Sequence, residues 1–200
     1  KEITDEFFEM GINVITSGNH IWDKKETTEF ISKEDRLLRP ENLAQGSPGN
    51  GYGIYFTKDK KFKVAVINLM GNVFMRKTED VFISAAKLQK KIKLKEEADF
   101  IVVDFHGEIT SEKMAIGHYF DGKATMVVGT HTHVPTADSR ILNNGTAFQT
   151  DIGMCGDYDS VIGMDKKNSI MKFLKDKDAK NHFPALGVAT LSGLIVEADE

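Results

Sequence analysis

Phe100-Ile101-Val102-Val103-Asp104-Phe105, followed at once by His106, is the stretch whose reading decides the fold. It is apolar at successive positions except Asp104, which reads as a central strand covered on both faces. Working outward, Lys63–Leu69 and Thr125–Gly129 read as strands on either side of it in the chain. Between the first two, Val81, Ala85, Leu88 and Ile92 recur at steps of four, three and four, the stripe of an amphipathic helix. Thr110 is expected to cap a second helix with Glu112 in its first turn. Helices alternating with apolar strands indicate an α/β domain. No repeat, low-complexity tract or linker divides residues 1–200, so one domain is expected.

The remaining chain fills in that frame. Ile3, Phe7, Phe8 and Met10 have helical spacing ended by Gly11, and Ile12–Ile15 suits a short strand. Thr27–Ile31 reads as a short helix, and Arg39–Gly53 as a loop rich in Pro, Gly and Asn. Gly53–Thr57 pairs with Lys63–Leu69 across a polar turn, and Arg140–Leu142 with Thr146–Gln149 across Asn143-Asn144-Gly145. Asp165 caps a helix through Leu174, and Gly187–Ala198 is expected to close the chain as a strand.

Composition excludes several classes. Lys and Arg number 26 against 30 Asp and Glu, a net charge of −4 with no electrostatic footprint for nucleic acid. The chain is 40% hydrophobic, too apolar for a disordered protein. No apolar run approaches the roughly 18 residues of a membrane helix, so no membrane partner is expected. Lys1–Glu6 is polar and acidic and does not read as a signal peptide. A single cysteine, Cys155, fits a reducing, cytoplasmic compartment.

The histidines carry the chemistry. His20 follows Gly18-Asn19, His106 ends the Phe100–Phe105 strand, and His131 and His133 follow Val127-Val128-Gly129. All fall just past the ends of expected strands, the edge where open α/β sheets bind ligands. In extended backbone the imidazoles of His131-Thr132-His133 point to one side, and neutral imidazole is a common ligand for Zn, Fe and Mn. Taken singly, each motif has a bland reading as packing or turn, and only the shared placement favours ligation. His118 reads as a helix-end surface residue and His182 as solvated. Cys155 has no partner histidine and is no thiol nucleophile. The Gly46–Gly53 stretch is a surface loop, not a phosphate loop. Lys87–Lys95 is the solvated face of its helix.

Gly18-Asn19-His20, Asp104-Phe105-His106 and Gly129-Thr130-His131-Thr132-His133 together resemble the later motifs of the calcineurin-like metallophosphoesterases. Ser17–Glu26, Arg39-Pro40-Glu41-Asn42, Thr110-Ser111-Glu112-Lys113 and Thr150–Met154 narrow the resemblance to the YmdB-like branch, which is similar to 2′,3′-cyclic nucleotide phosphodiesterases. The resemblance implies a calcineurin-like sandwich of mixed β-sheets flanked by helices. It implies a hydrolase acting on small phosphodiesters through two metal ions, Fe and/or Mn, with Zn or Mg as alternatives. Asn19, His106 and His131 would bind the second metal, and His133 the first. His20 would not be a ligand but would face the scissile phosphate, as a proton donor to the leaving oxygen or as electrostatic support. Two such cations, ~3.5–4 Å apart, clamp phosphate oxygens and acidify a water. Asp104 and Asp151 are second-layer candidates for imidazole N–H groups, with a cap or turn role as the alternative.

The sequence departs from the family in one respect. The strand-end Gly-Asp and the acidic bridging ligand beside an asparagine do not occur before Asn19. The helical, Met-less start leads to the expectation that an upstream segment has been lost. Sequence does not fix the oligomeric state, a homo-oligomer being one option. A non-catalytic regulatory or scaffold protein on a decayed phosphoesterase fold is the alternative function. An amidohydrolase is disfavoured, because there the HxH pair comes early in the chain.

Overall fold

The computed structural model describes residues 1–199. Its frame is a six-stranded sheet of order β3-β4-β5-β6-β8-β7. The strands are β3 (Tyr52–Phe56), β4 (Lys63–Met70), β5 (Phe100–His106), β6 (Met126–Thr130), β7 (Arg140–Ile141) and β8 (Ala147–Gln149). The inner pairs β4–β5, β5–β6 and β6–β8 are parallel, and the two outer pairs are the antiparallel hairpins expected from the turns. Helices α3 (Val81–Lys91) and α4 (Thr110–Tyr119) make the parallel crossovers. Asp80 caps α3 by accepting from the Ile83 N–H at 2.9 Å.

Alternation along the strands gives the sheet two different faces. Ala65, Ile67 and Leu69 of β4 and Ile101, Val103 and Phe105 of β5 pack with Val81, Ala85, Leu88 and Ile116 into the core. On the opposite face Phe100 and Val102 are only half-buried, so β5 is covered fully on one side and not on both. Past Val102 that second face turns polar, with Asp104 and His106.

Smaller elements flank this frame. Helix α1 (Glu2–Glu9) buries no residue, though the Arg36 guanidinium lies 3.7 Å over the Phe8 ring. Strand β1 is only Ile15–Thr16, shorter than the expected Ile12–Ile15 and shifted past it, and pairs in parallel with β2 (Leu37–Leu38). Helix α2 (Lys25–Phe30) starts before Thr27 and continues as a 3-10 turn, Ile31–Lys33. Asp165 caps α5 (Lys166–Phe173) by accepting from Asn168 N–H at 2.8 Å.

Two expectations are corrected. Thr110 is the first residue inside α4, preceded by Ile109 in extended conformation, and no side chain caps that end. The closing strand is reduced to β10 (Ala189–Thr190), which pairs with β9 (Gly156–Asp157) and not with the main sheet. Beyond it the described residues 191–199 have no ladder partner. They run beside the open sheet face, where Leu194, Val196 and Ala198 line a cavity of about 330 Å³ with Phe100, Val102 and Met126.

Candidate metal centre

Parallel register brings the ends of β4, β5 and β6 to one edge. Asn68 pairs with Asp104 and Met70 with His106, while His106 in turn pairs with Thr130. Ser17 to His20 crosses this edge from the side, tied down where the Asn68 amide oxygen accepts from Ser17 N–H at 3.2 Å. Gly18 is required there, since a β-carbon would overlap the His106 ring. The next residue, Asn19, therefore lies against the end of β5.

Three expected ligands converge. Asn19 Oδ1 is 2.8 Å from His106 Nε2, and His106 Nε2 is 3.2 Å from His131 Nδ1. The two rings meet edge to face, 4.9 Å between centroids. The far nitrogen of each ring is occupied. His106 Nδ1 is 3.0 Å from Thr130 Oγ1, which donates to Asp104 Oδ1 at 2.8 Å and so accepts from the ring. His131 Nε2 is 3.0 Å from Glu108 Oε2. Each outer partner places the ring proton on the far nitrogen and leaves a lone pair facing the cluster.

Burial favours the neutral rings. It holds His106 down at about 4, with the nearby His131 and Lys113 acting in the same direction. Burial also lowers His131, against the opposing pull of Glu108. Burial pushes Asp104 up to about 6, although hydrogen bonds from Thr16 and Thr130 oppose it. Two neutral imidazoles and an amide oxygen fit one cation of borderline softness. Among the described residues no three His, Cys, Asp or Glu side chains gather to hold an ion, because the third donor of this cluster is an amide.

His133 and His20 stand apart from that trio. His133 Nδ1 is 2.7 Å from the Ile162 carbonyl oxygen, which orients the ring from outside. Its own backbone and that of His131 have φ of 67° and 105°, so the loop is left-handed at both histidines and not an extended HxH pair. This costs of order 1–3 kcal/mol per residue and persists only where the surroundings impose it. His20, next to Asn19, is exposed and pairs its Nδ1 with Asp23 Oδ2 at 2.7 Å.

A buried ion pair imposes the left-handed turn. Lys113 and Asp151, each 1% exposed, meet at 2.6 Å. Lys113 Nζ also donates to the Thr130 carbonyl at 2.7 Å, and Asp151 accepts from the Thr132 N–H and hydroxyl at 3.0 and 2.8 Å. Asp151 therefore holds the backbone between the histidines and touches no imidazole. Asp104 reaches His106 only through Thr130. Asp104 thus stands behind His106 through the Thr130 hydroxyl and not in direct contact, while Asp151 takes the turn role expected as the alternative, accepting also from Gly153 N–H at 2.9 Å.

The residues that sequence reasoning missed are Glu108, Thr130, Lys113 and Asn68. Glu108 had a signal, an acid two residues past a strand-end histidine. Lys113 is a cation fully buried on a helix, which no local pattern reveals. His118, in the last turn of α4, and His182, in a loop, take no part; Cys155 is exposed and donates to the Ser192 carbonyl at 3.5 Å.

A mixed sheet with helices packed on one face, and histidines and an amide gathered at its strand ends, is the framework of a phosphoesterase, a hydrolase class. The sequence profile described as YmdB-like protein matches residues 1–200, and the chain belongs to that family. It is 43% identical over 205 residues to the 2′,3′-cyclic-nucleotide 2′-phosphodiesterase of Bacillus subtilis, covering 100% of this chain and 74% of that protein. Among solved structures, a novel phosphatase of Mycoplasma pneumoniae superposes with a TM-score of 0.83 at 36% identity, over 94% of this chain and 67% of that one. A hypothetical protein of Thermus thermophilus gives 0.85 at 36% identity, over 94% of this chain and 72% of that one. Among the described residues no helix is long and apolar enough to cross a membrane.

Proposed function

We propose that the protein hydrolyses phosphodiesters, with 2′,3′-cyclic nucleotides as substrates, and that residues 1–200 act as one domain. Asn19, His106 and His131 would hold one divalent cation through Oδ1, Nε2 and Nδ1, and His133 would contribute to a second. Iron and manganese suit this donor set, with zinc or magnesium as alternatives. Such a pair of ions supplies charge neutralisation at phosphate and an acidified water.

The chain's own part is orientation and proton delivery. Glu108 and Thr130 keep the lone pairs of His131 and His106 turned inward. The neutral amide of Asn19 adds a donor without adding negative charge, which suits an anionic substrate. His20, with Nδ1–H donated to Asp23, would hand a proton from Nε2 to the leaving oxygen as its bond to phosphorus breaks. The name of the Bacillus relative denotes cleavage at the 2′ oxygen, which leaves a 3′-monophosphate. We assign the same bond here.

The observation that carries this reading is the meeting of Asn19 Oδ1, His106 Nε2 and His131 Nδ1 within 2.8 and 3.2 Å. The test is elemental analysis of the purified protein with turnover of 2′,3′-cyclic AMP and of an aryl phosphodiester, the products separated by chromatography. Bound metal and a 3′-monophosphate product are expected. Protein free of metal and inert toward both substrates would favour the non-catalytic scaffold instead.

A further inference from the structure

The loop of residues 71–80, between β4 and α3, has no part in the reading above, yet buried polar groups hold it at both ends. Asn42, fully buried, donates to the Met70, Thr78 and Glu79 oxygens at 2.7, 3.1 and 3.1 Å and accepts from Met70 N–H at 2.9 Å. Asn72 accepts from Val81 N–H at 2.9 Å and donates to Thr78 Oγ1 and the Glu79 carbonyl. The Glu112 carboxylate accepts from Asn72 N–H at 2.9 Å and from Val73 N–H at 3.5 Å. Between these anchors the chain takes a left-handed turn at Phe74, φ 58°.

From the middle of that loop Arg76 reaches Asp23, the partner of His20. Its Nη2 is 3.5 Å from Asp23 Oδ1, and the other Asp23 oxygen is the one 2.7 Å from His20. Arg76 is 56% exposed and the contact is long, so as a salt bridge it adds little stability. A guanidinium has five N–H donors in a planar fork that suits phosphate oxygens, and Asp23 engages one end of it. Tethers on both ends of the loop hold Arg76 beside Asp23, a carboxylate it shares with His20, and leave the rest of the guanidinium exposed to an incoming anion.

We propose that Arg76 anchors the substrate's phosphate, donating to a non-bridging oxygen, while Asp23 positions Arg76 and His20 together. The proposal rests on the phosphodiesterase reading and names a substrate-binding residue for it. A charge-assisted hydrogen bond to phosphate is lost with the side chain, so Arg76→Ala in the full-length protein should raise KM for 2′,3′-cyclic AMP by about tenfold or more. Its kcat should change by less than about threefold, since the lost contact acts in ground and transition states alike. Adenosine 3′-monophosphate, measured by calorimetry, should weaken by the same factor.

Arg76→Lys keeps the charge and should recover part of both losses. Lys77→Ala, a neighbouring exposed cation, should change neither. Asp23→Asn should raise KM and lower kcat together at an unchanged unfolding midpoint. Wild-type turnover with unaltered KM and nucleotide affinity in Arg76→Ala overturns this inference alone. An inert wild-type protein that binds no metal removes the phosphodiesterase reading, and the inference with it.

Discussion

The central strand β5 supports two different kinds of structure. Toward the helices, Ile101, Val103 and Phe105 are 1%, 0% and 0% exposed, and they stabilise by apolar area, which has no preferred direction. On its other side Asp104 and His106 belong to a chain of directional contacts through Thr130 and Asn68. An apolar neighbour that is lost leaves a void. A polar neighbour that is lost leaves its partner buried with no hydrogen bond, and that cost falls on one identifiable atom. The packed face can therefore vary by small increments, while the strand-end edge must be kept whole.

The largest test of this contrast is Lys113→Met. Removing the ammonium leaves Asp151 buried and uncompensated, which should destabilise by about 3–5 kcal/mol in urea unfolding. Adding Asp151→Leu should restore part of that loss, because the stranded charge is then gone. Equal or additive losses in the double variant would mean that the edge is held by apolar area after all.

A smaller effect is expected at Thr130→Val. The hydroxyl links His106 to Asp104, so its loss should cost about 1–3 kcal/mol and free the His106 ring to rotate. Outer partners of ligating histidines are typically worth 10–100-fold in metal affinity. Calorimetric titration of Mn²⁺ into metal-stripped Thr130→Val should show a loss in that range. Wild-type affinity would show that the relay does not orient the ring.

Sequence revealed the parts of this molecule that repeat with a period. The stripe at Val81, Ala85, Leu88 and Ile92 and the apolar runs at β4, β5 and β6 define the layers, because packing a face demands regular spacing. The ends of elements were less legible. Gly187–Ala198 has the composition of a strand, but a strand needs a free edge beside it, and only Ala189–Thr190 finds one. Within the candidate site, Asn19, His106 and His131 were visible through motif and placement. Glu108, Thr130 and Lys113 were not, since their roles depend on meeting residues far along the chain or on a loop's turn. The continuous run Phe100–Phe105 even pointed to burial on both faces, when Asp104 marks the side left for chemistry.

The smallest expected effect concerns Asp138, on the loop that leads from the histidines to β7. Burial would raise its carboxyl, but donors outweigh it and hold it down at about 2: the hydroxyls of Thr136 and Thr150, the Thr150 N–H and the Arg140 guanidinium. Thr136 Oγ1 donates at 2.6 Å and Thr150 N–H at 3.1 Å, and Thr150 directly precedes Asp151, so this carboxylate braces the same edge from outside. A carboxyl whose pKa is lower folded than unfolded contributes stability above the unfolded value, near 3.9, and loses it as pH falls through the folded value. The contribution should be about 1 kcal/mol, reduced because a quarter of the side chain stays in screening water. Asp138→Asn should therefore unfold at lower urea than wild type at pH 6, and the gap should close as pH falls from about 4 to about 2. A gap independent of pH over that window would assign the loss to shape and not to charge, and would place Asp138 with the packed face in its energetics.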